Sequence, residues 1–326
     1  MNFIDMIALV TRHRLMLIVC LLLLANTVSA QITQLTLVAP ASPGGGWDQT
    51  ARAMQQAMQQ SGTMKIVKVV NVAGAGGTVG LAQFIDAQRG KGDALLVNGL
   101  IMVGAVLTNK SPVTLSQVTP IARLTGEYEV LVVPAKSPFM TLADLIRAWK
   151  ADPGKISIAG GSAGGTDHML AGLLAAAAGV DVTKVNYIPH SGGGETIASL
   201  VGNQVAAGIN GLGELLSLIK AGRVRALAIS SDVRVPGVDV PTFVEQGVRL
   251  SLANWRAVMA PPGISADQRK QLEALMDRMH QSPAWKTLVT RNNWIDMYQT
   301  GPPFEAFLKE EQARAAAVLK SIRLIQ

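Results

Sequence analysis

Short apolar runs of strand length alternate along this chain with stretches in which apolar residues recur at helical spacing. Residues 35–39, 66–72 and 94–98 are the first three runs, each rich in Val, Leu or Ile. Between the first two, Ala51, Met54 and Met58 fall at i, i+3 and i+7, which predicts a helix over 48–60 with these on one face. A second helix is expected near 79–88. The pattern restarts after the Val-rich run 130–134. Thr141 and Asp144 sit at capping-box spacing and open a helix to Lys150. Strand 156–159, helix 167–178, strand 185–187, a helix after glycines 192–194, and strands 205–209 and 224–230 follow. A run at 250–258, a helix capped by Ser265 and Gln268 and ending near Met279, and a helix over 304–322 close the chain. Strands alternating with helices in this way predict βαβ units and parallel pairing.

Two such sets with a C-terminal return predict an α/β protein of two lobes. The chain would cross between them near 125–133 and 245–252, giving one lobe from 31–130 plus 250–326 and another from 131–249. Residues 1–30 read differently. Thr11, Arg12, His13 and Arg14 form a basic start, an apolar run extends from Leu15 to Ala25, and small residues precede Ala30. That layout predicts a cleaved secretory signal peptide, because the run is short for a membrane span.

Removing that segment takes away Cys20, the only cysteine, and leaves 27 basic and 21 acidic residues. An exported chain without cysteine must rely on a sizeable core rather than on disulfides. The positive balance fits an acidic ligand but decides little. Lys and Arg are scattered, and no nucleic-acid motif is present, so nucleic acid is not an expected partner. No cysteine or histidine cluster has the spacing of a metal site, and neither metal nor cofactor is expected.

The candidate chemistry lies in four glycine-rich turns, each between an expected strand and an expected helix: 43–48, 74–78, 160–166 and 190–194. A strand-to-helix turn leaves the first helical N–H groups without partners. The helix dipole adds attraction for an anion, and glycine lets a ligand approach the backbone closely. Two turns per lobe would close over one small carboxylate. Rival readings exist for two of them. Gly74, Gly76 and Val79 come near a dinucleotide fingerprint, but Val79 takes the third glycine position and Asn98 stands where an acid is expected. Gly160-Gly161-Ser162-Ala163-Gly164 fits a nucleophile elbow, with His168, His190 and His280 downstream, which would make a secreted serine hydrolase using Ser162. A carboxylate-sensing receptor subunit would use the same clamshell. Trp47 and Trp255 are read either as cleft walls or as core-edge cover.

Pro43-Gly44-Gly45-Gly46-Trp47-Asp48, then Gly74-Ala75-Gly76-Gly77, then Gly161-Ser162-Ala163-Gly164-Gly165-Thr166 with His168, resemble the extracytoplasmic receptors of tripartite tricarboxylate transporters, the TctC or Bug family. Tyr187 with Ser191-Gly192-Gly193-Gly194-Glu195, Lys220 to Leu227, Val240-Pro241-Thr242, Trp255 and Ala260-Pro261-Pro262-Gly263 continue the resemblance in order along the mature chain. The resemblance implies a periplasmic, type II-like Venus-flytrap fold, each lobe a mostly parallel sheet flanked by helices. It implies no enzyme activity, and a monomer that hands a di- or tricarboxylate to membrane permease subunits. It also implies ligand contacts from Gly44, Gly45, Gly46, Trp47, Asp48, Ala75, Gly76, Gly77, Ser162, Gly164, Gly165, Thr166, His168, Ser191, Gly192 and Gly193. Where many relatives carry acids, this chain has Ala206 and Asn210. Without an acid to meet an ammonium, the site is expected to take a purely anionic, citrate-like ligand, with Asn210 among its contacts.

Overall fold

In the computed structural model, which describes residues 32–326, ten strands form one continuous mixed sheet. The expected signal peptide lies outside the described residues. β1 (Gln34–Ala39), β2 (Ile66–Asn71) and β3 (Ala94–Gly99) pair in parallel with β1 in the middle. Their crossovers are α1 (Gly46–Gln60) and α2 (Thr78–Ala87), the βαβ arrangement that the periodicity predicts. Ala51, Met54 and Met58 of α1 are all buried, so the apolar face read from the sequence is the one that packs.

After α3 (Leu100–Thr108) the chain enters β4 (Thr119–Pro134), a 16-residue strand that belongs to both halves of the sheet. α4 (Leu142–Ala151) starts at the Thr141–Asp144 capping box. β5 (Ser157–Gly160), β6 (Asn186–Pro189) and β7 (Ala207–Gly211) then repeat the parallel arrangement with β5 central, crossing over through α5 (Thr166–Ala178) and α6 (Gly193–Val201). α7 (Leu212–Lys220) and β8 (Val224–Ile229) follow. β9 (Ala253–Ala260) returns beside β3, and α8 (Ala266–Gln281), α9 (Pro283–Arg291), β10 (Ile295–Thr300) and α10 (Gly301–Ser321) finish the chain.

The antiparallel pairs gather on β4 and β9. Thr119 to Tyr128 of β4 pair with β9, whereas Glu129 to Pro134 pair with β7 and β8. Ser230, just past β8, holds this changeover: its hydroxyl accepts the Glu129 N–H at 2.9 Å and donates to the Leu252 carbonyl at 2.6 Å. Alternation along the strand divides the core in two. Leu131 and Val133 pack into the larger apolar cluster, and Val130 and Val132 into a smaller one with Leu200, Leu212, Leu215 and Ile229. Each such aliphatic side chain contributes about 1.5–3 kcal/mol on full burial. The sequence reading assigned no element to α3, α7, α9, β10 or the first half of β4.

Candidate functional site

A cavity of about 680 Å³ opens where the two halves of the sheet face each other. Its walls are loops that end strands. The β1–α1 loop contributes Gly44, Gly45 and Gly46, with Trp47 of the first turn of α1. The first intrahelical bond of α1 runs from the Gln49 N–H to the Gly45 carbonyl at 2.9 Å, so the N–H groups of Gly46, Trp47 and Asp48 precede the ladder. The loop after β2 contributes Ala75, Gly76 and Gly77, at φ +48°, +62° and +90°. A left-handed alanine costs about 1–2 kcal/mol. Here its carbonyl is held by Asn109 Nδ2 and Thr78 Oγ1, both at 2.9 Å. From the other side come Gly161, Ser162 and Ala163 after β5, and Ser191, Gly192 and Gly193 after β6. Asn210, at the end of β7, also lines the cavity.

Five residues singled out by the resemblance do not line it. The Asp48 carboxylate is 2 % exposed and turned into its own loop, accepting from the Gly44 N–H at 2.8 Å, Arg52 Nε at 2.9 Å and Asn71 Nδ2 at 2.9 Å. Burial pushes its pKa up, but these bonds outweigh it and hold the acid below its ordinary value. Gly164, Gly165 and Thr166 pack away from the cavity. A Cβ at Gly164 would strike Thr108, and one at Gly165 would come within 2.9 Å of the Ser162 carbonyl. His168 accepts the Gly164 N–H through Nδ1 at 3.1 Å and stacks on Tyr187 with ring centroids 4.0 Å apart. Burial lowers its pKa to about 4, so it is neutral at physiological pH.

Ser162 lines the cavity, and no hydrogen bond joins its hydroxyl to a histidine among the described residues. His168 is engaged as described, His190 Nε2 bonds Ser199 Oγ at 2.9 Å, and His280 pairs with Asp296. Trp255 belongs to the core: it is 1 % exposed and donates from Nε1 to Glu311 at 2.7 Å.

The floor of the cavity holds charges that the glycine reading did not find. Glu127 and Glu129 alternate to one face of β4, Asp167 sits in the first turn of α5, Glu214 in the first turn of α7, and Arg256 on β9. Glu127 and Arg256 form a buried ion pair, with the guanidinium 5.5 Å from the Trp294 ring centre. Burial, and then repulsion from Glu127, raise Asp167 to about 7 despite the Gly161 N–H that it accepts at 2.6 Å. Burial and the same neighbour raise Glu214 to about 8. Glu129 is raised well above the usual carboxylate range, by burial first and then by Asp167, Glu127 and Glu214. The site is therefore not free of acids. Neutral Ala206 and Asn210 suggested otherwise because only the relatives' positions were compared, and the carboxyls arrive from other elements. Loops and floor interlock: a Cβ at Gly46 would run into Arg256, and one at Gly193 would come within 2.6 Å of Glu214 Oε2. Among the described residues, no three His, Cys, Asp or Glu are grouped to hold a metal ion, and no helix is long and apolar enough to cross a membrane.

Comparison with known proteins matches residues 50–324 to the family model described as tripartite tricarboxylate transporter family receptor. Protein BugT of Bordetella pertussis (strain Tohama I) is 31 % identical over 302 residues, covering 91 % of this chain and 90 % of that one. Among solved structures, MatC from Rhodopseudomonas palustris with bound malate superposes with a TM-score of 0.76 at 24 % identity, covering 88 % of this chain and 98 % of MatC. Rpa4515 of R. palustris with adipate gives a TM-score of 0.80 at 21 % identity, covering 89 % and 97 %.

Proposed function

The chain belongs to the tripartite tricarboxylate transporter receptor family, whose members are two-lobed solute receptors rather than enzymes, and we propose that it captures a small carboxylate in the periplasm for delivery to a membrane permease. The observation that carries this reading is the cavity walled by four glycine-bearing loops, each of which leads into a helix of nine residues or more. Loop backbone and helix N-termini suit the carboxylate of a di- or tricarboxylic acid, citrate among them. The malate and adipate held by the two structural relatives support that class. The lobes run over 31–130 plus 250–326 and over 131–249, a division supported by the change of partners along β4. Asp48, Thr166 and His168 act behind the loops, shaping them.

Thermal unfolding of the mature chain tests this against succinate, malate, adipate, citrate and tricarballylate. A ligand at 100 times its dissociation constant stabilises the native state by about 2.7 kcal/mol. Absence of any shift across the set, repeated by calorimetry, would sink the reading.

A further inference from the structure

Residues 322–324, just past α10, reach from one half of the molecule onto the other. α10 itself packs on α3 and β4, and its Glu311 accepts from Trp255 Nε1 at 2.7 Å. Its far end meets α5 instead. Ile322 is 3 % exposed and fills a notch there. A Cβ added at Gly172 of α5 would stand 2.7 Å from Ile322 Cδ1 and 2.9 Å from its Cβ and Cγ2. Glycine inside a helix gives up stability relative to alanine, and at Gly172 the bare backbone makes room for Ile322.

The seat has a defined geometry. Arg323 adopts φ +56°, its N–H bonds the Lys320 carbonyl at 3.0 Å, and the Leu324 N–H bonds the Leu319 carbonyl at 2.8 Å. This pair of bonds is a Schellman turn, which stops the helix and fixes the direction of the residues after it. Ile322, Arg323 and Leu324 border a second cavity of about 300 Å³ together with His168 and Tyr187. Those two rings are stacked, and both hold the loop after β5: Tyr187 donates to the Gly161 carbonyl at 2.8 Å, and His168 accepts the Gly164 N–H. Gly161 in turn lines the main cavity.

We propose that residues 322–324 are a strap between the lobes, with Ile322 a positioning residue for the ligand loop 161–164. α10 lies in the lobe of 31–130 plus 250–326 and α5 in the lobe of 131–249, so the strap rests on the two-lobe receptor reading above. With Ile322 seated on α5, the strap backs the stacked rings, and the rings hold the loop in the form that lines the main cavity. Withdrawing the strap loosens that loop while leaving every group on the cavity wall in place.

Hydrogen exchange on the unliganded mature chain tests this, because local opening is read segment by segment and needs no bound compound. Ile322→Ala should raise the exchange rate of 161–166 at least about tenfold, equivalent to about 1.4 kcal/mol of easier opening. Gly172→Ala should do the same from the other side: it favours the helix but closes the notch, so its effect comes through Ile322 and not through a weakened α5. Leu308→Ala, also buried in α10 but about four turns before the strap, should leave 161–166 as it was. An unchanged rate in Ile322→Ala or Gly172→Ala, or an equal rise in Leu308→Ala, overturns the strap. Calorimetry with succinate, malate, adipate, citrate and tricarballylate keeps the two readings apart. A parent protein that binds one of these acids while 161–166 ignores Ile322→Ala overturns the strap alone. Faster exchange in a protein that binds none of them supports the strap and removes the receptor reading.

Discussion

Gly77→Ala should unsettle the cavity wall by pressing a new Cβ against Trp47 and Met102, and the size of the effect can be worked out. Gly77 sits at φ +90°, a left-handed conformation that costs an alanine about 1–2 kcal/mol. Loss of glycine's freedom in the unfolded chain returns about 0.4–1 kcal/mol. The new Cβ would also stand 2.6 Å from Trp47 Cζ3 and 2.8 Å from Met102 Cε. Trp47 is 6 % exposed and rigid, so it must shift, and overpacking of this kind costs about 1–3 kcal/mol. The net loss is about 2–3 kcal/mol, or roughly 4–12 °C in melting temperature for a chain of this size. Gly179→Ala isolates the contact, because Gly179 has a similar φ of +72° with nothing within 4 Å of its Cβ. That control should lose about 1 kcal/mol or less. Circular dichroism melts of both variants, with the best ligand of the panel titrated into each, make the comparison. Only Gly77→Ala should also weaken binding, since Trp47 is a wall of the cavity. Equal melting temperatures and equal affinities in the two variants would refute the argument.

Asn210→Ala should leave the melting temperature nearly unchanged, since it deletes a donor that already lacks an acceptor, yet weaken ligand binding by about 1–3 kcal/mol in calorimetry. Trp255→Phe removes the 2.7 Å bond to Glu311 and should cost about 1–3 kcal/mol in urea unfolding, with ligand affinity preserved. Stability should fall as pH rises from about 6.5 to 8, because Asp167 near 7 and Glu214 near 8 keep protons in the folded protein that the unfolded chain, with acids near 4, has already lost. His168 works oppositely, but only below its unfolded value of about 6.5, so that window isolates the acids. Glu214→Gln should flatten the fall in melts across the range, and an unchanged slope would count against a shifted Glu214.

The sequence was most legible where backbone geometry demands a residue type. Glycines 44–46, 76–77 and 192–193 mark loops that do reach the cavity, and the capping boxes at Thr141 and Ser265 open helices as read. Gly164, Gly165 and Thr166 carry the same signature and pack elsewhere for a reason invisible in one dimension. Gly104 of α3 lies so close to the Gly164 carbonyl that no Cβ would fit, so this end of the loop is committed to packing. α3 itself went unread because its nine residues, Leu-Ile-Met-Val-Gly-Ala-Val-Leu-Thr, have no polar face to set a period. Glu127 and Glu129 escaped notice because β4 began, in the sequence reading, only at its Val-rich end. Arg256 sits 129 positions from the Glu127 that it pairs with, and Glu214 opens a helix that was not foreseen. Such meetings are set by topology, not by spacing.

The 16-residue strand β4 carries the acidic floor at the point where its neighbours change, with Glu127 in the stretch that pairs with β9 and Glu129 in the stretch that pairs with β7. The backbone that lines the cavity and the backbone that joins the two halves of the sheet are therefore one. A change of cargo that altered those two glutamates would also alter that joining strand, whereas changes confined to the loops would leave it alone. Diversification from this scaffold should then run along two separate routes: frequent, mild retuning at the loops, and rare, coupled jumps in which a new cargo arrives together with a rebuilt junction between the halves.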